Sequence, residues 1–187
     1  MGEIIDSITI KGFKSIRELN ALKLNNINVL IGPNGAGKSN FVDFFRLLRE
    51  LIDQRLQLLI ATQGGADACL YLGPKITKEL SAQLLFGQNG YEFTLVPTND
   101  NRLVFSSEAT LYSGYLVGGK QTSRSFGSGH FEARFLDRKN DSGYTAPKGP
   151  PHYVFEAISS WVVYHFHDTS AVAGVRRQGA INDPTHR

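Results

Sequence analysis

The feature that most constrains this chain is a glycine-rich stretch between an apolar run and a helical pattern. Residues 26–51 read NINVLIGPNGAGKSNFVDFFRLLREL. The apolar residues at 27–31 predict a buried strand, and the glycines at 32–37 predict a loop. Apolar side chains then recur on one helical face, which predicts a helix; they are Phe41, Phe44, Phe45, Leu48, Leu51 and Ile52.

The loop satisfies the pattern G-x-x-x-x-G-K-[ST], with Gly32, Gly37, Lys38 and Ser39 at the fixed positions. Glycines let backbone amides wrap around phosphate oxygens, and the start of the next helix adds unpaired donors. Lys38 is expected to reach the β and γ oxygens, and the Ser39 hydroxyl to complete a Mg²⁺ shell. The pattern predicts a phosphate-binding, or Walker A, loop. The alternative is a glycine-rich turn with an exposed lysine.

The other segments predict a mixed chain. Residues 4–13 predict a strand, and a polar edge strand precedes residues 27–31. Three strand-like runs at 79–86, 91–97 and 102–112, joined by GQNG and TNDN, predict an antiparallel meander. We divide a single domain over 1–187 into a Walker A subregion at 1–64, the meander within 76–112, a Gly/Ser/Pro-rich flexible region at 113–151, and a helix and strand at 152–170.

Composition narrows the class of protein. The net charge of +3 comes from interspersed residues, so nucleic-acid binding is permitted rather than indicated. A single cysteine, Cys69, excludes an internal disulfide framework and predicts a small buried hydrophobe. The N-terminus lacks a signal-peptide pattern, and charges interrupt the apolar stretch at 41–61, so no membrane span is expected. We expect a cytoplasmic protein.

Several stretches of the sequence resemble one group of ATPases. IKGFKSIRELNALKLNNINVLIGPNGAGKSNFVDFFRLL resembles the head-domain opening of ATPases related to structural-maintenance-of-chromosomes (SMC) and RecF proteins, in the ABC-type P-loop class. GGADACLYLGPKIT, FGSGHFEARF and WVVYHFHDTS are similar to stretches of bacterial AAA family or RecF-like ATPases. The resemblance implies an α/β fold: the N-terminal lobe of a P-loop NTPase head, with an incomplete sheet.

The resemblance also implies which residues bind nucleotide. It places ATP phosphates on the loop, and an asparagine after the Walker A serine is typical of the group. It further implies nucleotide contacts from the turn that contains Phe13, Lys14 and Ser15, for which a solvated turn is the alternative. The implied loop residues are Asn34, Gly35, Ala36, Gly37, Lys38, Ser39 and Asn40.

A second candidate cluster lies near the C-terminus. On a strand, His165 and His167 point to one face, next to Asp168, so a metal site is conceivable. Two ligands without a third are weak evidence. Polar groups satisfied at the end of a strand are the preferred interpretation.

Two elements of the ATPase pattern are missing from this sequence. No apolar run ends in Asp-Glu, as a Walker B strand does, and no signature like L-S-G-G precedes a helical pattern. We therefore expect a truncated or split product with near-background ATP hydrolysis and exposed apolar surface. A C-terminal half or second ATPase subunit is the expected partner.

The resemblance implies DNA repair or defence as the work of full-length relatives, with DNA as a possible partner. The alternative is a noncatalytic interaction module that docks on an intact ATPase or on DNA. A small P-loop kinase is disfavoured, because a meander follows the Walker helix where a kinase usually carries an arginine-rich lid.

Overall fold

The framework of the protein is an antiparallel sheet of six strands. A computed structural model of the protein describes residues 5–114, 118, 120–140 and 148–163. Neighbouring strands pair in the order β2-β1-β3-β4-β5-β6, and every pair is antiparallel. The strands are β1 (Ser7–Phe13), β2 (Ile16–Lys23), β3 (Leu80–Phe86), β4 (Asn89–Pro97), β5 (Leu103–Tyr112) and β6 (Thr122–Gly127).

Helices cover one face of this sheet. The residues of strand β3 alternate strictly between buried and half-buried positions, so one face of the strand points into the core and the other toward solvent. The buried residues of β4 and β5 contribute aromatic rings to the same core, including a Phe93–Phe105 pair. The helices are α1 (Lys38–Ile52), α2 (Leu56–Thr62), α3 (Ala66–Cys69) and α4 (Pro150–Ser159), with a 3₁₀ turn at Phe135–Arg138.

Helix α1 confirms the helix predicted from apolar spacing, and it begins at Lys38, three residues before the first apolar position. Phe45 is only partly buried, whereas Leu47, which the spacing did not include, is almost completely buried. The buried face is Phe41, Phe44, Leu47, Leu48, Leu51 and Ile52.

The predicted meander is also confirmed. Strands β3, β4 and β5 pair in sequence, and both predicted turns connect neighbouring strands. The region 113–151, which we expect to be flexible, contains β6, which pairs with β5, and the 3₁₀ turn, which buries Phe135 in the core. Residues 115–117, 119 and 141–147 of this region lie outside the described residues.

The prediction of a buried strand at residues 27–31 is wrong. Ile27, Val29 and Ile31 are 83%, 76% and 92% exposed, and the segment belongs to no strand. A strand that is apolar on both faces needs neighbours for its backbone and cover for its side chains. Within the described ranges no strand pairs with it, so its apolar side chains stay exposed.

The predicted C-terminal strand falls largely beyond the described residues. Helix α4 matches the predicted short helix, and Trp161 packs against Phe45 and Phe86. Trp161–Val163 are not in a strand, and the remainder of the predicted strand, with His165, His167 and Asp168, lies outside the described residues.

Cys69 is fully buried, as predicted, and carries no disulfide. Burial raises the pKa of its thiol to about 11, against a smaller opposing effect of the Lys14 charge. The thiol is therefore protonated at neutral pH and behaves as a small apolar group. No helix in the described part of the chain is long and apolar enough to cross a membrane.

A buried carboxylate joins the sheet to the segment that follows β6. Glu108 on β5 is 1% exposed and accepts hydrogen bonds from the Tyr91 hydroxyl (2.9 Å) and His130 Nε2 (2.7 Å). The backbone amides of Arg134 and Phe135 donate to the same carboxylate. Burial, together with the nearby Glu108 charge, raises the pKa of Tyr91 well above its usual value. These four donors satisfy a group that would otherwise be costly to bury.

We predict that Glu108→Gln destabilises the fold. In the native protein, four donors share the two carboxylate oxygens of Glu108. A glutamine offers only one oxygen, and its NH₂ group faces the remaining donors, so some buried donors lose their acceptor. The free energy of unfolding, measured in urea, should fall by about 2–4 kcal/mol. The control is Glu92→Gln on β4, a half-buried carboxylate that accepts from Gln83. Equal losses in the two variants would contradict a special role for the Glu108 network.

Candidate functional site

The glycine-rich loop, residues 32–37, is open to solvent and adopts a conformation that requires glycine at two positions. Gly35 and Gly37 have φ values of 84° and 88°, in the left-handed region. A Cβ atom at Gly35 would meet nothing within 4 Å. One internal hydrogen bond, from the Ala36 amide to the Pro33 carbonyl at 3.2 Å, closes the turn. The loop therefore has open space around Gly35.

Helix α1 begins directly after this loop with its amides uncapped. Gly37 is the N-cap residue, no side chain caps the helix, and the first turn contains no acidic residue. The first amides of a helix have no intrahelical acceptor, and they carry the positive end of the helix dipole. Ser39 is exposed in this first turn. The helix start thus has the properties of an anion-binding site.

The Lys38 side chain folds back over the loop. Its Nζ donates to the carbonyl oxygens of Gly32 at 2.6 Å and Pro33 at 2.7 Å. These two bonds hold an ammonium group at the mouth of the loop, where a phosphate group could replace the carbonyls as its partner.

The turn between β1 and β2 lies beside the helix start. Asn40 Nδ2 donates to Ser15 Oγ at 2.7 Å, and Ser15 Oγ lies 2.8 Å from the position that a Cβ of Gly37 would take. Lys14 points elsewhere, because its Nζ pairs with Asp43 Oδ2 at 2.6 Å. The structure therefore brings Ser15 and Asn40 to the loop and ties Lys14 to the side of α1.

A cleft of about 630 Å³ opens next to the loop. Its walls are β2, residues 24–31 and the start of α1, including Gly37 and Lys38. Leu19 and Leu22 of β2 make one wall partly apolar. The volume lies in the range of small-molecule sites.

The Ser39 hydroxyl is the metal-binding group that the sequence pattern predicts at the loop. Within the described ranges, no group of three His, Cys, Asp or Glu side chains could hold a metal ion. Mg²⁺ commonly keeps several waters and is bound partly through substrate phosphates. The exposed Ser39 hydroxyl fits a metal that arrives with a nucleotide better than a preformed metal cage.

The sequence pattern identified the loop but not the partners of the neighbouring turn. Asn40 and Asp43 are three residues apart on α1, and this spacing places them on one face. That spacing was the available signal for Asp43, which pairs with a residue 29 positions earlier.

We predict that Gly37→Ala costs more stability than Gly35→Ala. Both glycines have left-handed φ values, so each alanine strains the backbone by roughly 1–2 kcal/mol. Only at Gly37 would the added methyl also press on Ser15 Oγ, at 2.8 Å. The two free energies of unfolding, compared by urea titration, isolate that contact. Equal losses would show that Ser15 is not held against Gly37.

One comparison with known proteins is informative. Residues 4–85 match the family model described as AAA ATPase domain. The match covers less than half of the chain, and it includes β1, β2, the loop and α1. It supports an AAA-family ATPase, and it fits a P-loop NTPase. No curated protein and no solved structure matches the chain.

Proposed function

We propose that this chain binds ATP with Mg²⁺ through the glycine-rich loop and the start of α1, as the N-terminal lobe of a RecF-like or SMC-like ATPase. The observation that carries the proposal is an open loop with left-handed Gly35 and Gly37 that leads into an uncapped helix. The family match over residues 4–85 supports the same class of protein.

Each loop residue has a role in this proposal. The backbone amides from Asn34 to Ser39 surround the phosphate oxygens, and Lys38 exchanges two carbonyl partners for β and γ oxygens. Ser39 contributes its hydroxyl to the Mg²⁺ shell. Asn40 and Ser15 border the site, whereas a nucleotide contact from Lys14 requires that Lys14 leave Asp43.

We propose that the chain binds ATP without appreciable hydrolysis of its own. Phosphoryl transfer to water needs a positioned Mg²⁺ and an oriented nucleophile. The sequence contains no Asp-Glu dipeptide, so it offers no Walker B pair to orient water. A role in DNA repair or defence, and a cytoplasmic location, follow from the family resemblance as further parts of this proposal.

Titration with a fluorescent ATP analogue tests the proposal. We predict saturable binding that strengthens with Mg²⁺ and weakens by about ten-fold or more in Lys38→Ala, because the lost charge-assisted bonds are worth at least about 1.4 kcal/mol. The matched control is Lys78→Ala, which also removes a lysine bonded to a backbone carbonyl, that of Pro74 at 2.9 Å. Equal binding by wild type and Lys38→Ala would contradict ATP binding at the loop. Steady ATP turnover that depends on Lys38 would contradict only the proposed lack of hydrolysis, because turnover itself requires binding.

The exposed apolar run at residues 27–31 favours the binding of another polypeptide segment at this place. Its aliphatic side chains project from a backbone that no described strand pairs with. An added strand would satisfy the backbone groups, and an apolar layer would cover Ile27, Val29 and Ile31. We propose that a C-terminal half or a second ATPase subunit supplies both. The noncatalytic docking module remains the alternative, because the same exposed run also suits docking.

We predict that the chain self-associates through this run when it is studied alone. The variant Ile27→Thr/Val29→Thr/Ile31→Thr keeps β-branched side chains but removes apolar surface, so its apparent mass by sedimentation velocity should fall toward that of a monomer. Leu58→Thr on α2, where Leu58 is 60% exposed, is the control. A wild-type chain that is monomeric at high concentration and unfolds in one sharp transition would contradict this prediction.

A further inference from the structure

The turn between β1 and β2 is held against the first two turns of α1 by three side-chain contacts. Consecutive residues of the turn meet helix residues that lie close together along one side of α1. The contacts, which we call the clamp, are the Phe13–Phe44 ring pair with centroids at 5.5 Å, the Lys14–Asp43 ion pair at 2.6 Å and the Asn40–Ser15 hydrogen bond at 2.7 Å.

The ion pair of the clamp is better protected than an ordinary surface pair. The side chains of Lys14 and Asp43 are 17% and 23% exposed. Those of the exposed Lys11–Glu18 pair on the same hairpin are 47% and 48% exposed. Partial burial reduces solvent screening, so the Lys14–Asp43 pair is the stronger restraint on the hairpin.

The other side of the turn is fixed by backbone bonds. The Lys14 amide donates to the Cys69 carbonyl at 2.8 Å, and the Tyr71 amide donates to the Gly12 carbonyl at 3.0 Å. Lys14 itself has a φ of 47°, which is uncommon for a residue other than glycine. The turn is therefore bonded on two sides, to residues 69–71 through its backbone and to α1 through the clamp.

The clamp touches the glycine-rich loop directly. Asn40 follows Ser39 in the chain, and its partner Ser15 abuts Gly37, the N-cap residue of α1. A shift of the helix start relative to the turn would change where the amides of Gly37 and Lys38 point. Amide direction decides how well phosphate oxygens are bound.

We propose that Asp43 and Asn40 are positioning residues of the phosphate-binding loop. Through the clamp they fix the first turn of α1 against the β1–β2 hairpin, and so they set the direction of the amides that receive phosphate. Neither residue needs to touch the nucleotide for this effect. The inference rests on the proposed function, because it assigns these residues to the same ATP site.

The experiment measures Mg·ATP affinity by calorimetry at a temperature at which circular dichroism shows every variant to be folded. Asp43→Asn should bind about five-fold more weakly than wild type, since it removes one partly buried ion pair. Asp43→Glu keeps the charge and should retain most of the affinity. The matched control is Glu50→Gln on the same helix, which breaks the 2.8 Å pair between Glu50 and Arg55, the N-cap residue of α2, and it should bind like wild type. Asn40→Ala serves if Asp43→Asn does not fold.

The outcomes separate this inference from the proposed function. Affinity equal to or higher than that of the wild type in Asp43→Asn and Asn40→Ala, even with a lower melting temperature, would overturn the positioning role and leave ATP binding intact. Weaker binding in Glu50→Gln as well would also overturn it, because any charge on α1 would then act alike. Absence of binding by the wild type would overturn both the proposed function and the inference.

Discussion

The docking of α1 on the sheet is the constraint on which the geometry of the candidate site depends. Leu47, Leu48 and Leu51 are almost completely buried, and Phe44 packs edge-on against Phe13 of β1. A helix is a stiff element, so these contacts in its middle and C-terminal half fix where its first amides lie. The position of the helix start is therefore set by the packing of α1 and not by the loop before it.

The conformation of the glycine-rich loop and the uncapped start of α1 are unfavourable for the free energy of folding. The helix start has no side-chain cap, which leaves polar amides to solvent, and Gly35 and Gly37 occupy conformations that other residues adopt at a penalty. The Lys38 ammonium donates to two loop carbonyls. Under the proposed function, a phosphate group would replace the two carbonyl partners of Lys38 and accept from the uncapped amides of the helix start.

The parts of the fold that could be predicted are those whose signal is local. Helix α1 and the β3–β5 meander follow from apolar spacing and turn residues. Residues 27–31 have the apolar pattern of a buried strand, yet their side chains are exposed. A sequence pattern indicates which side chains favour burial, but not whether other parts of the protein are there to bury them. Strand β6, with the sequence TSRSFG, is an exposed edge strand without apolar alternation, so nothing in its pattern indicated a strand.

The candidate site likewise has a part with a local sequence signal and a part that depends on long-range contacts. The Walker A pattern is contiguous, so the sequence alone predicts it, and phosphate binding there stays a prediction. The structure places Gly35 and Gly37 in left-handed conformations. The contacts around it join residues that are distant in sequence: Lys14 with Asp43, and Asn40 with Ser15, are 29 and 25 positions apart. Glu108 and its donors are also brought together only by the folded sheet. Long-range pairings of this kind have no signature in one sequence.

The most direct measurement of phosphate binding at the loop is the change in backbone amide chemical shifts when Mg·ATP is added to the isotopically labelled chain. We expect the largest changes on Gly35, Gly37, Lys38 and Ser39, with smaller changes at Ser15 across the clamp. Saturable changes confined to other parts of the described sheet, or none at these amides at saturating nucleotide, would contradict binding at this loop.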